Sequence, residues 1–352
     1  MCWRAFGHAH SRKIVTKQTG VGIKTTMHIR LICPVPRASR HGNMTSALRW
    51  SRILKALGHR VVIEEKYQGV NCDLLLALHA WRSADSIELF NELHPHLPIV
   101  LALTGTDIYQ DIHEKPEAQR SLELATRMMM LQPLGMDELP PHVRDKARTI
   151  FQSARQTPGG HQPSGKTFNV SVIGHLRPVK DPMRTALASR LLPDSSRLQV
   201  LHVGGAMSTE FQAAATAETK SNPRYTWLGE MPRWKARRVM AKSQAMVLTS
   251  LAEGGANVVS EALVDSIPVI ASRIPGSVGM LGEGYPGYYE VEDERDLARV
   301  LTRLEAEPAF LQELKRWCTN LSPMVSPATE QSLWNDLIHE AVQAKAPSLT
   351  TA

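Results

Sequence analysis

The stretch SLAEGGANVVSEALVDSIPVIAS, residues 250 to 272, sets Glu253 and Glu261 eight positions apart around a glycine pair and the start of a helix. It grows out of the apolar run MVLTS (246–250), which reads as a buried parallel strand. Gly254 and Gly255 let the backbone turn and approach a ligand closely. Ala256 to Val264 has helical spacing and stops before Pro268, so the free N–H groups near Ala256, Asn257 and Val258 point into the crevice at the strand's carboxyl end, where a diphosphate is favoured. Glu253, in the loop, can accept hydrogen bonds from hexose hydroxyls, and Glu261, about two turns into the helix, from ribose hydroxyls. Two ordinary glutamates on a capped surface helix are the alternative. The preceding strand, the glycines and the following strand PVIAS favour a sugar nucleotide.

Outward from this stretch, strand and helix patterns alternate. HIRLIC (28–33) leads through PVPRASRHGN into the helix TSALRWSRILKALG (45–58), then RVVIEE (60–65), DLLLALHA (73–80), a helix around Ser83 to Leu93, and PIVLALTG (98–105). Leu48, Ile53, Leu54 and Leu57 supply the apolar face of the first helix, Asn43 or Thr45 its cap, and Gly58 its end. A second series holds the strands FNVSVIG, LQVLHVGG, YTWLGE, AMVLTS, PVIAS and YYEVED. The fold class is α/β, with two Rossmann-like domains facing across a crevice. Residues 1–26 form a basic leader, 27–156 the first domain, 157–166 (TPGGHQPSGK) a linker, 167–325 the second domain, and 326–345 a helix.

The 352 residues and 43% hydrophobic content suit two cores of ordinary size. The longest apolar stretches, such as LLLALHAW (74–81), are strand-sized, so no membrane insertion is expected. Five of the seven net positive charges come from Arg4, Arg12, Lys13, Lys17 and Lys24 in a leader with no acidic residue, an upstream start artefact or a flexible arm; a basic targeting peptide is a further alternative. The body has no basic stripe interleaved with aromatics, which argues against nucleic-acid binding. Cys2, Cys33, Cys72 and Cys318 share no CxxC spacing and suit a reducing, cytoplasmic setting. A periplasmic-type binder would need an export signal, and a dehydrogenase would want GxGxxG where this chain has PRASRHGN.

VIGHLRPVKD (172–181), LHVGG (201–205), YTWLGEMP (225–232), SLAEGGANVVSEAL and PVIASRIPG (268–276), in this order, resemble the family 4 retaining glycosyltransferases of GT-B fold. CPVPRASRHGNMTSALRWSRILKALGH (33–59), LALHAWRSADSI (76–87), LTGTD (103–107) and GHLRPVKDP (174–182) are similar to the selenosugar synthases of selenoneine biosynthesis, and the likeness covers about residues 27 to 340. Such enzymes join selenophosphate to a UDP-sugar, typically UDP-N-acetylglucosamine, form a carbon–selenium bond and release UDP and phosphate. The resemblance implies Lys180 on the donor diphosphate, Glu253 on the sugar and Glu261 on the ribose. It also places Gly174, Gly229 and Glu230 on the donor side, and implies that the helix at 326–345 crosses back to the first domain. The family's usual loop arginine is replaced by His175, so Arg177 supplies the second cation or His175 gives a weaker, pH-dependent contact.

On the acceptor side the resemblance points to Gly42 and Asn43, ringed by Arg37, Arg40, His41 and Arg49, a cation density that suits a tetrahedral anion; an exposed basic loop is the alternative. Thr104, Gly105, Thr106 and Asp107 replace a segment that carries a histidine in many relatives, and His79 is a candidate to reach the crevice instead. The family's front-face mechanism needs no protein nucleophile, and no metal or other cofactor is expected because cationic side chains and backbone amides do that work. An ordinary transferase with a hydroxyl acceptor and a noncatalytic nucleotide-sugar binder stay open as alternatives. The donor hexose and the oligomeric state are left open.

Overall fold

The computed structural model describes residues 26–36, 42–105, 107–163 and 165–346; the leader to residue 25 and the candidates Arg37, Arg40 and His41 lie outside them. The first sheet is built from β1 (His28–Ile32), β2 (Arg60–Glu64), β3 (Leu74–Leu78), β4 (Ile99–Leu103), β5 (Arg127–Met130) and β6 (Ala147–Thr149), in spatial order β2-β1-β3-β4-β5-β6. The second comprises β7 (Phe168–Ile173), β8 (Leu198–Val203), β9 (Tyr225–Trp227), β10 (Ala245–Leu248), β11 (Val269–Ser272) and β12 (Tyr288–Tyr289), in order β12-β11-β10-β7-β8-β9. Every pairing within both sheets is parallel. LLLAL of β3 and IVLAL of β4 are buried at every position, as central strands covered by helices on both faces must be.

The strand order reverses between β1 and β3 in the first sheet and between β7 and β10 in the second, and in such sheets the loops that diverge at the reversal open a crevice. The loops that follow β7 and β10 carry Lys180 and Glu253. The second core gathers Val170, Val172, Met246, Val247, Ile270 and Leu263 between the sheet and its helices.

In the first helix, Gly42–Ala56, the buried stripe is Met44, Ala47, Trp50 and Leu54. Leu48 is 43% exposed and does not join that face, because it falls between turns of the stripe. Among the described residues the helix runs from Gly42, so Asn43 and Thr45 lie within it and do not cap it. The carboxy-terminal helix, Pro327–Lys345, is capped by Ser326 and buries Trp334, Leu337, Ile338 and Ala341 in the core of the first domain. Trp334 packs on Trp50 with ring centroids 5.2 Å apart.

Beneath that contact the fully buried Glu330 accepts from Trp50 Nε1 at 3.0 Å, Ser153 N at 2.8 Å and Ser153 Oγ at 2.5 Å. The segment read as a linker is fastened along the second domain. Thr157 donates twice to Asp265, at 2.8 Å and 2.5 Å, and His161 Nε2 donates to the Ser243 carbonyl at 2.8 Å. Among the described residues, no helix is long and apolar enough to cross a membrane.

Candidate active site

The loops after β7 and β10 are laced together before either presents a charge. Leu251 N donates to Val179 O at 2.9 Å, and Thr249 Oγ1 to Lys180 O at 2.7 Å. Lys180 ends the short turn Pro178–Lys180, and its ammonium donates to Glu253 Oε1, which also accepts from Ser250 Oγ at 2.5 Å. The side chains are 21% and 11% exposed, so the pair sits in a sheltered crevice wall with Gly174, His175, His202 and Thr249 nearby. The separate assignments of Glu253 to a hexose and Lys180 to a diphosphate meet a structure in which the two groups are each other's partners. Opposite charges at this depth pair when brought within reach.

Glu261, 6% exposed on the helix Asn257–Val264, is held by Arg233, whose Nε lies 2.5 Å from Oε1. Ala256 precedes that helix and gives it no side-chain cap; Asn257 and Val258 form its first turn. Asn257 Oδ1 accepts from Arg49 Nη2 at 2.8 Å. Arg49 thus reaches from the first domain to the start of the helix that carries Glu261. Burial chiefly, with Arg233 and Arg52 adding, lowers its pKa, while Glu330 and Glu261 oppose that shift.

The glycine pair has a different use from the one expected. Neither Gly254 nor Gly255 has a left-handed φ. A Cβ on Gly254 would stand 2.7 Å from Thr104 O, and one on Gly255 would stand 2.4 Å from Leu131 Cβ. The missing side chains let the second domain's loop touch the first domain, where the sequence reading gave them to a ligand.

The family model for glycosyl transferases group 1 matches residues 155–320, which include Lys180, Glu253 and Glu261. This is a glycosyltransferase of GT-B fold. "Glycosyltransferase 1 domain-containing protein 1" of Xenopus tropicalis is 23% identical over 301 residues, covering 78% of this chain and 86% of its own. HepE of Anabaena, solved with UDP and glucose, has a TM-score of 0.69 at 13% identity over 89% of this chain and 99% of its own. Sucrose-phosphate synthase of Thermosynechococcus elongatus has a TM-score of 0.70 at 15% identity, over 90% of this chain and 99% of its own. At these identities the two structures speak to the fold alone.

In this glycosyltransferase the loops around Gly174, Gly204 and Gly229 are locked by close backbone approach. A Cβ on Gly204 would lie 1.9 Å from Gly174 O, and Gly204 N donates to the carbonyl of Gly229 at 2.9 Å. Glu230 packs against Gly205, whose N–H donates to His175 Nδ1 at 3.2 Å. At that nitrogen His175 serves as an acceptor for a main-chain donor. Arg177 is exposed at the start of the same turn.

On the glycosyltransferase's first domain, Gly42 is exposed and Asn43 Oδ1 accepts from Thr104 Oγ1 at 3.1 Å, so these candidates do assemble. His79 goes elsewhere. It is 3% exposed with φ 73°, its Nδ1 accepts from Arg82 N at 3.4 Å, and its Nε2 lies 3.6 Å from the Asp111 carboxylate. Burial lowers its pKa, and it serves the framework of its own loop. Asp107, fully buried, accepts from Ala80 N, Thr104 N and Gly105 N at 3.3, 3.4 and 2.7 Å. Arg233, Ser250, Tyr109 and Gln132 were missed from the sequence, because no spacing rule ties them to partners in distant segments.

Proposed function

We propose that the protein transfers a hexosyl group, N-acetylglucosaminyl in the leading case, from a UDP-sugar to selenophosphate. The bond from the anomeric carbon to the diphosphate oxygen breaks and UDP departs. A bond from that carbon to selenium forms, and hydrolysis of the selenium–phosphorus bond then gives phosphate and the selenosugar. The donor half rests on one observation: Lys180, Glu253 and the start of the helix at Asn257 converge where the second sheet reverses its strand order. A cation and a helix start suit a departing diphosphate. HepE, whose structures hold UDP, UDP-glucose or UDP with glucose, has the same fold.

For the acceptor, the first-domain wall that meets Glu253 and Gly254 is made by Tyr109 and Thr104 respectively. Burial pushes the Tyr109 hydroxyl up to about 12, so it holds its proton at neutral pH. A nucleophile that arrives as a soft anion has no proton to give up and suits a wall of hydroxyls. Arg49, and with it Arg37, Arg40 and His41, which precede its helix in the sequence, supplies the positive charge for such an anion. A cytoplasmic setting belongs to the same reading.

The test is to incubate purified protein with UDP-N-acetylglucosamine, with and without selenophosphate, and follow UDP and selenium-bearing sugar by mass spectrometry. UDP release that depends on selenophosphate, with a selenosugar product, supports the proposal. Release only with sugar or lipid hydroxyl acceptors overturns the selenium reading, and no release with any acceptor leaves a nucleotide-sugar binder.

A further inference from the structure

Tyr109 stands on a wide helical turn, Asp107–Asp111, that follows β4. Its hydroxyl donates to the main-chain oxygen of Glu253 at 3.0 Å and accepts from Gln132 Nε2 at 3.2 Å. Gln132 is 1% exposed, and its side-chain oxygen accepts from Leu134 N at 2.7 Å, which sets the direction of the amide. The helix Pro275–Leu281 closes the remaining side. A Cβ on Gly276 would stand 2.1 Å from Glu253 O, and one on Gly279 would stand 1.9 Å from Gln132 Oε1. The peptide oxygen of Glu253 is therefore met by a phenol from the first domain, itself held by the Gln132 amide, and by a glycine-lined helix from its own domain.

We propose that Tyr109 is a positioning residue, which with Gln132 forms a clasp that makes domain closure and the orientation of Glu253 a single event. Fixing the Glu253 peptide aims its carboxylate at Lys180 and Ser250. Because the donor and acceptor of the clasp lie in different domains, the contact exists only with the crevice closed. The inference rests on the reading of the protein as a hexosyltransferase with Glu253 at the donor sugar. It adds how that side chain is set.

The test compares wild type with Tyr109→Phe, which removes one oxygen and keeps the ring, and with Gln132→Met. Three quantities are measured: kcat and KM for UDP release from UDP-N-acetylglucosamine with selenophosphate, the Kd for UDP, and hydrogen exchange of the amides in 251–257 with UDP bound. Loss of one such hydrogen bond lowers kcat about tenfold. The Kd for UDP stays within about twofold, since a uniform loss of binding would appear there. Exchange in 251–257 rises about tenfold in Tyr109→Phe and by a smaller factor in Gln132→Met. Unchanged exchange in both variants overturns the clasp, as does an unchanged kcat in Tyr109→Phe where wild type turns over. If wild type releases no UDP from the donor with selenophosphate or with any hydroxyl acceptor, the hexosyltransferase reading falls while the exchange comparison still decides the clasp.

Discussion

Lys180 Nζ and Ser250 Oγ converge on one oxygen of Glu253, the hydroxyl at 2.5 Å, so the strand ends β7 and β10 share one small polar cluster at the strand-order reversal. Lys180→Ala should lower turnover at least about 100-fold, as loss of a preorganised charge at a leaving group does. It also strands a carboxylate that is only 11% exposed, so stability in urea should fall by about 1–2 kcal/mol. Adding Glu253→Ala should return part of that stability and none of the turnover. A fully active Lys180→Ala protein would sink the leaving-group role.

Arg49 and Asn257 join the two domains at 2.8 Å. Arg49→Leu and Asn257→Ala should each lower kcat/KM for the donor about tenfold, and the double variant should be no worse than either, since both remove one contact. Additive losses in steady-state kinetics would show that the residues act separately.

Gly255→Ala places a methyl 2.4 Å from Leu131 Cβ, across the domain contact. Each domain should keep its own stability, and turnover should drop about 100-fold because the reacting groups no longer align. Small-angle scattering with UDP present should then give a larger radius of gyration than wild type. An equal radius with normal turnover would contradict the close-approach role.

Glu330 takes three hydrogen bonds at zero exposure beneath the Trp50–Trp334 stack. Glu330→Ala leaves those donors buried and unpaired, which costs about 3 kcal/mol in a denaturant titration. A change below about 1 kcal/mol would show that water replaces the carboxylate.

His202 is almost fully buried, and its Nδ1 accepts from Tyr225 at 2.9 Å while Nε2 faces the Gly174 carbonyl at 3.4 Å. Burial holds the imidazole neutral and brings its pKa down to about 4. Below about pH 6.5 the unfolded chain takes up a proton that the folded chain refuses, so stability falls as pH drops from about 6.5 to about 4, by about 1.4 kcal/mol per unit at most. His202→Gln keeps an acceptor and a donor without titrating. Urea titrations at pH 7 and pH 4.5 should show a shallower loss in that variant.

The alternation of apolar runs with helical spacing was legible because parallel strands buried on both faces leave continuous apolar runs, as in LLLAL and IVLAL. β5 and β6 were not read. RMMM lacks β-branched residues, and Ala147–Thr149 is three residues held in place by its neighbour. The face of the first helix was misjudged at Leu48 because two stripes of near-equal hydrophobicity fit its period, and Trp334, far along the chain, selects the one with Trp50. Arg233 was invisible as the partner of Glu261, because its place depends on how the helix that starts at Arg233 packs.

Local order in the chain was enough to give two Rossmann-like domains, since strand burial, helix period and glycine punctuation act over a few residues; the GT-B class came from the resemblance carried by the motifs of the second half. Local order also marked Glu253 and Glu261 for attention, while Lys180 was singled out by the resemblance. Tertiary structure alone decided who meets whom: Lys180 with Glu253, Arg233 with Glu261, Arg49 with Asn257, and the bare faces of Gly254 and Gly255 with Thr104 and Leu131. The physical reason is range. Hydrogen bonds and ion pairs form only within a few ångströms, and distances that short between remote segments are set by the packing of whole domains.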